Sequence, residues 1–226
     1  YLKERLAESK TLYPFGKASY PHIHKVEQNR QGLNFTFVDS TGETDIQLPL
    51  YGRYHVDNAC GAFVMCMRLG ISLAFIKAAL KTIPQIRHRS EVQTTINGPT
   101  VIDNAYNSNP ESFRENLHLL KELTSNNNTS YLITPGIVEM GDAHESSHKE
   151  LGKLAAQTID VALVVSPKRI ESFVKAFRAN MSKHQAIHLF NTFNEAKQWL
   201  DQNIKEGDGV LIENDLPDLY ERRLVI

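Results

Sequence analysis

The stretch Asp103-Asn104-Ala105-Tyr106-Asn107-Ser108-Asn109-Pro110 decides how the rest of the chain is read. A short apolar run, Thr100-Val101-Ile102, precedes it, and an amphipathic helix beginning near Pro110-Glu111-Ser112 follows. A strand ending in an acid, then a polar turn, then a helix start is how α/β proteins build the edge of a nucleotide site. The acid accepts hydrogen bonds from sugar hydroxyls, and the open N–H groups of the helix start favour phosphate or carboxylate. The same residues suit a plain turn with an N-cap, because Asn, Ser and Pro all favour turns.

Downstream of this stretch the pattern predicts helix 111–124, strand 130–134, helix 144–157, strand 160–165, helix 168–180, strand 186–190, helix 192–203 and strand 209–213. Regular β/α alternation implies an α/β domain with a Rossmann-like, doubly wound, mostly parallel sheet. Just upstream, 91–96 and 100–103 read as strands around Asn97-Gly98, a strong hairpin turn. The first part of the chain has another rhythm. A short charged helix opens it, Gly32–Val38 and Thr44–Leu50 form a hairpin around Ser40-Thr41-Gly42-Glu43, and helices 56–69 and 72–83 follow. Pro84 ends the pair. The expected boundary lies at Pro84–His88, giving one part over 1–85 and a second over 86–226.

A formal charge of −1 over 226 residues argues against a nucleic-acid surface. No apolar run is long enough to span a bilayer. The opening Tyr1-Leu2-Lys3-Glu4-Arg5 does not read as a secretory leader, which predicts a cytoplasmic protein. It also begins in mid-pattern without a methionine, as a piece of a longer chain would. Cys60 and Cys66, six apart in one apolar helix, read as buried thiols of a reducing compartment.

Four other segments can carry chemistry. Leu48 through Ala59 runs from a strand through Gly52 into a helix, and the amide of Asn58 offers the donor and acceptor that an adenine edge needs. Ile86-Arg87-His88-Arg89-Ser90-Glu91 is a basic cluster at the expected junction, where a guanidinium suits phosphate. Ile133 through Gly141 ends a strand with two glycines and Glu139, at the strand end where open α/β sheets place ligands. His144-Glu145-Ser146-Ser147-His148 matches the zinc-hydrolase spacing, with Glu145 as a possible base, although no third ligand stands out. No Gly-rich phosphate loop is present: Gly16-Lys17-Ala18 lacks the earlier glycine and the hydroxyl residue.

Taken together these segments resemble the Mur ligase family, and most nearly its branch that adds D-alanyl-D-alanine to a peptidoglycan precursor. The resemblance spans the latter part of the ATP-binding central domain and the whole C-terminal, amine-substrate domain. Gly52 through Asn58 is similar to the family's Gly-x-His-Asn-x-x-Asn, Arg89 and Glu91 to its linker Arg-x-Glu, Asp103 through Pro110 to Asp-Asp-Ala-Tyr-Asn-Ala-Asn-Pro, and Glu139, Gly141 and His148 to the next motif. The resemblance implies an ATP-dependent amide ligase that works with magnesium through an acyl phosphate, on a carboxylate acceptor and an amino acid or dipeptide. It implies that Asn58 contacts adenine, Arg89 the phosphate side and Asp103 the ribose, with Tyr106 beside the nucleotide. It places Asn107, Asn109, Glu139 and His148 along the amine-substrate cleft.

The chain departs from the pattern at Tyr54 and His55, at Asn104 in place of a second Asp, at Pro135-Gly136-Ile137 in place of Gly-Asp-Met, and at Glu213-Asn214-Asp215 in place of Lys-Gly-Ser. Without a phosphate loop, and with the magnesium acids expected upstream, these residues are expected to hold no catalytic group and not to turn over ATP by themselves. Two rival expectations follow. One is a zinc hydrolase using His144, Glu145 and His148; the other is a non-catalytic partner subunit that only binds nucleotide.

Overall fold

A computed structural model describes residues 22–40, 42–94, 98–106 and 108–214. The expected opening helix, the Asn97 half of the 97–98 turn, Asn107 and Asp215 lie outside the described residues. The chain divides into two compact units, Tyr1–Pro84 and Gln85–Ile226.

In the first unit, β1 (His22–Asn29), β2 (Gly32–Asp39) and β3 (Gly42–Leu48) form an antiparallel sheet in that order. The β2–β3 hairpin follows from alternation: Leu33, Phe35 and Phe37 share one face and are buried. β1 is not legible in the same way. Its sequence HIHKVEQN is polar at most positions, and its register slips between His24 and Glu27, where Lys25 takes a left-handed φ of 54°. Helices α1 (Tyr54–Arg68) and α2 (Leu73–Lys81) cover the sheet. Val56, Ala59, Cys60, Phe63 and Val64 of α1 recur at helical spacing and join Ile76 and Leu80 of α2 in one core with the strands. Phe37 and Phe63 meet with ring centroids 3.9 Å apart. Cys60 is buried there, whereas Cys66 is half-buried.

The second unit holds a six-stranded sheet in the order β4-β5-β9-β6-β7-β8. The strands are β4 (Glu91–Thr94), β5 (Thr100–Asn104), β6 (Ser130–Gly136), β7 (Val161–Val165), β8 (Ala186–Phe190) and β9 (Gly209–Asn214). Edge strand β4 is antiparallel to β5, and every other pairing is parallel. The parallel strands alternate with α3 (Pro110–Leu123), α4 (His144–Thr158), α5 (Glu171–Asn180) and α6 (Phe193–Asn203). The helix expected over 168–180 begins as a 3-10 turn, Pro167–Ile170, before α5.

Strand β6 is buried along its whole length, as a central parallel strand must be. Tyr131, Ile133, Leu163, Val165 and Val210 face α6, where Ala196 and Leu200 pack on them. Leu132, Ala162, Val164 and Leu211 alternate with these and are fully buried on the opposite face. There α4 lies close to α5, because Gly152 has no side chain: a Cβ at that position would sit 2.4 Å from the Phe173 carbonyl oxygen. At the amino end of the sheet two carboxylates tie strands together. Asp160 accepts from the Ser130 N–H and hydroxyl, and Asp208 accepts from the backbone of Thr129 and Lys205. These are structural staples, worth about 1.5–3 kcal/mol each for hydrogen bonds to a charged group.

Candidate functional site

Chain order and strand order diverge in the second unit. The chain leaves β5, builds β6, β7 and β8, then returns to insert β9 between β5 and β6. The carboxyl ends of β5, β9 and β6 therefore lie side by side, at the place where open α/β sheets bind ligands. Asp103 and Asn104 end β5, Glu213 lies near the end of β9, and Ile137–Glu139 follow β6.

The linker 88–91 folds back onto the tip of β5. His88 Nδ1 lies 2.8 Å from Asp103 Oδ2; a carboxylate only accepts, so the ring donates from Nδ1. Asp103 Oδ1 accepts from the Ala105 N–H at 3.0 Å, closing the turn. The Tyr106 N–H donates to the His88 carbonyl at 3.2 Å, and the Ser90 N–H donates to Asn104 Oδ1 at 3.1 Å. Above these bonds the Arg89 guanidinium stands 4.7 Å from the centroid of the exposed Tyr106 ring. His88 and Ser90 both take left-handed backbone angles, with φ of 59° and 50°. Such conformations are uncommon away from glycine and persist where surrounding bonds hold them. Upstream, the Gln85 side chain bonds both backbone groups of Val92, at 2.7 and 3.0 Å. Residues from Gln85 onward are thus bound into the second unit.

Asp103, Arg89 and Tyr106 are brought together as one edge. Asn109 takes the capping role that its sequence also allowed. Its Oδ1 accepts from the Glu111 and Ser112 N–H groups at 3.0 and 2.9 Å, and Ser112 Oγ accepts from the Asn109 N–H at 3.2 Å. Its Nδ2 remains the group available for a ligand. Asn107 lies outside the described residues.

After β6, Glu139 is exposed and holds a left-handed φ of 58°. His148 is not a cleft-lining side chain. It is fully buried, its Nε2 accepts from the Ile137 N–H at 2.9 Å, and its Nδ1 donates to the His144 carbonyl at 2.8 Å. Burial, the largest cause, pushes its pKa down, against the opposing pull of the His144 carbonyl. It fixes the Ile137–Glu139 loop from beneath. The same bonds dismantle the zinc expectation. Both nitrogens of His148 are engaged, and His144 Nε2 lies 2.8 Å from the Arg169 carbonyl, which only accepts, so that nitrogen carries its proton.

In the first unit Asn58 is exposed on α1, one turn beyond Gly52, so it is not a buried amide satisfied by backbone. Gly52 takes a φ of 94°, and its N–H donates to Gln28 Oε1 at 2.8 Å, which fixes the entry to α1. His55 is buried.

Sequence reasoning missed a network of four hydrogen bonds at the carboxyl end. Asn104 Nδ2 and Ser108 Oγ both donate to Glu213 Oε1, Asn116 Nδ2 donates to Glu213 Oε2, and Ser90 Oγ donates to Asn116 Oδ1. Two signals were available. Asn116 is a polar residue on the buried face of α3 beside Phe113, Leu117 and Leu120, and Glu213 follows an apolar strand just as Asp103 does.

The family model described as "Mur ligase, glutamate ligase domain" matches residues 88–213. The chain belongs to the Mur ligase family. A relative named UDP-N-acetylmuramoyl-tripeptide--D-alanyl-D-alanine ligase from Mycobacterium tuberculosis is 32% identical over 188 residues, covering 78% of this chain and 35% of the relative. One of the same name from Bacillus subtilis is 26% identical over 229 residues, covering 94% of this chain and 47% of the relative. The chain thus spans between a third and a half of these curated Mur ligases. Among solved structures, MurF from Acinetobacter baumannii has a TM-score of 0.78 at 22% identity, over 94% of this chain and 46% of that one. The MurF ligase of Thermotoga maritima, solved in complex with ADP, has a TM-score of 0.73 at 19% identity, over 95% of this chain and 47% of that one. Both show that the fold is that of Mur ligases. Among the described residues no helix is long and apolar enough to cross a membrane.

Proposed function

We propose that this Mur-type chain supplies the ribose edge and the amine-substrate side of an ATP-dependent amide ligase in peptidoglycan precursor synthesis. The observation that carries this reading is the edge itself: Asp103, Arg89 and Tyr106 bound into one piece at the carboxyl end of a parallel sheet. Asp103 accepts ribose hydroxyls, Arg89 neutralises phosphate oxygens, and Tyr106 offers a flat ring to the nucleoside. Asn58, exposed on α1 of the first unit, offers the donor and acceptor that an adenine edge needs. Asn109 Nδ2 and Glu139 line the path of the amine, and Glu139 orients its ammonium group. The reaction class is attack of that amine on a carboxylate activated as an acyl phosphate, so positioning and charge neutralisation carry the rate. Such a reaction consumes ATP, which fits a cytoplasmic enzyme.

Among the described residues of the second unit magnesium finds no fitting donor set. His88, Glu91 and Asp103 place ligand atoms within 4.8 Å of one another, but one is an imidazole already bonded to Asp103. Magnesium takes oxygen ligands, so no step is assigned to it there.

The test joins this chain to the part of the Bacillus subtilis relative that the match does not cover, to give a completed enzyme, and follows ADP release with a UDP-linked peptide acceptor and a panel of amines led by D-alanyl-D-alanine. Amine-dependent ADP release, abolished in Asp103→Ala, supports the reading. Release that ignores every amine overturns it.

A further inference from the structure

Glu213 is 1% exposed, near the carboxyl end of the central strand β9. A carboxylate in such a place is costly unless donors surround it, and an apolar side chain of similar volume would fill the space at lower cost. The donors come from three segments: Asn104 at the tip of β5, Ser108 in the turn before α3, and Asn116 in the second turn of α3. Their directions are fixed from outside. The Ser90 N–H can only donate, so Asn104 must turn Oδ1 towards it and Nδ2 towards β9. Position 104 must therefore accept on one side and donate on the other. An Asp there would have no proton to offer Glu213. Asn at 104 and Glu at 213 are a matched pair.

We propose that Glu213 is a positioning residue for the candidate nucleotide edge. Its two oxygens hold Asn104, Ser108 and Asn116 in one arrangement. Through Asn104 and Asn116 the same carboxylate holds Ser90, and with it the linker that carries His88 and Arg89. The turn bearing Asp103 and Tyr106 is thereby set before any ligand arrives. The functional half of this proposal rests on the nucleotide reading above; the positioning half does not.

The test uses the 226-residue chain as wild type, Glu213→Leu, Asn104→Asp and the double variant Asn104→Asp/Glu213→Gln. The first leaves the three donors unmet. The second faces two carboxylates. The double variant moves the charge to position 104: the new carboxylate accepts from Ser90 and from the new amide N–H2 at 213, whose second proton goes to Ser108 Oγ and whose oxygen accepts from Asn116. Native-state amide exchange reads the N–H groups of Ser90 and Tyr106, with Leu132 and Leu163 in the sheet as controls. Both single variants should speed exchange at Ser90 and Tyr106 about tenfold or more and leave the controls unchanged, and the double variant should restore wild-type rates. Unchanged rates at Ser90 and Tyr106 in Asn104→Asp, or a double variant no slower than that single variant, would overturn the positioning role. In the completed enzyme described above, Asn104→Asp should raise KM for ATP more than it lowers kcat, with recovery in the double variant. Restored exchange without restored KM would overturn the link to the nucleotide while leaving the positioning role standing.

Discussion

The Ile137 N–H donates to Nε2 of the fully buried His148 at 2.9 Å, so the loop after β6 hangs on an imidazole that must stay neutral at that nitrogen. Burial pushes the pKa of His148 below its ordinary 6.5. As pH falls, the unfolded chain takes up the proton first. The contribution of His148 to stability is therefore complete above about pH 6.5 and is lost as pH falls from there through the folded pKa. Denaturant unfolding of the wild type should show this loss between neutral and mildly acidic pH. His148→Gln keeps an acceptor for Ile137 and does not titrate. It should cost about 1–3 kcal/mol at neutral pH and remove that part of the pH slope. An identical slope in both proteins would contradict the assignment.

Gly136 sits against the same imidazole. It takes a φ of 83°, and a Cβ there would lie 2.3 Å from Ile170 Cγ2 and 2.6 Å from His148 Nε2. Gly136→Ala should destabilise by more than about 1 kcal/mol from backbone strain and crowding together. Because the two sites touch, the double variant with His148→Gln should fall short of additivity by about 0.5 kcal/mol or more. Additive losses in chemical denaturation would show that the crowding is relieved elsewhere.

The fold was readable wherever one periodicity governed a segment. Strands β6, β7 and β9 carry the apolar runs Tyr131–Ile133, Val161–Val165 and Val210–Ile212 because they lie inside the sheet, and helices α3 and α6 announce themselves through Asn109 and Thr192 at their caps. β1 was not readable, because the antiparallel pairing of a polar, bulged edge strand leaves no alternation behind. Asp103 and Arg89 were singled out as candidates because their residue types announce their chemistry at a strand end and at a junction. The Glu213 group was not, since its members lie up to 109 positions apart in sequence and only the insertion of β9 between β5 and β6 brings them together. His148 shows the opposite failure. Its spacing to His144 is right for a metal, but the directions of its ring nitrogens, which no spacing encodes, assign it to the loop.

Asn109 separates capping from ligand binding. Its Oδ1 is taken by the two N–H groups of α3, so the proposed substrate contact falls to its Nδ2. Asn109→Ala should cost about 1 kcal/mol of stability. Asn109→Asp keeps the cap and puts a negative charge at a helix start, where it is favourable. Thermal unfolding should therefore find Asn109→Asp near the wild type. If Nδ2 meets the amine substrate, the same variant in the completed enzyme should raise KM for the amine several-fold. Wild-type amine kinetics in Asn109→Asp would reduce the residue to a cap.

Asp103 and His88 allow the sharpest separation of structure from function. The carboxylate accepts on both oxygens, from the Ala105 N–H and from His88 Nδ1. Asp103→Asn can satisfy one of them only, and it removes the acceptor offered to a ribose. His88→Ala, by contrast, frees Oδ2 and leaves the carboxylate in place. A ribose site predicts opposite results in the completed enzyme. Asp103→Asn should raise KM for ATP about tenfold or more, since one lost charge-assisted bond is worth about 1.5–3 kcal/mol. His88→Ala should leave that KM within about fivefold of the wild type, because the His88 contact is worth at most about 1 kcal/mol at a partly exposed site. Equal losses in the two variants would mean that the His88–Asp103 contact, rather than a ribose, is what the carboxylate serves.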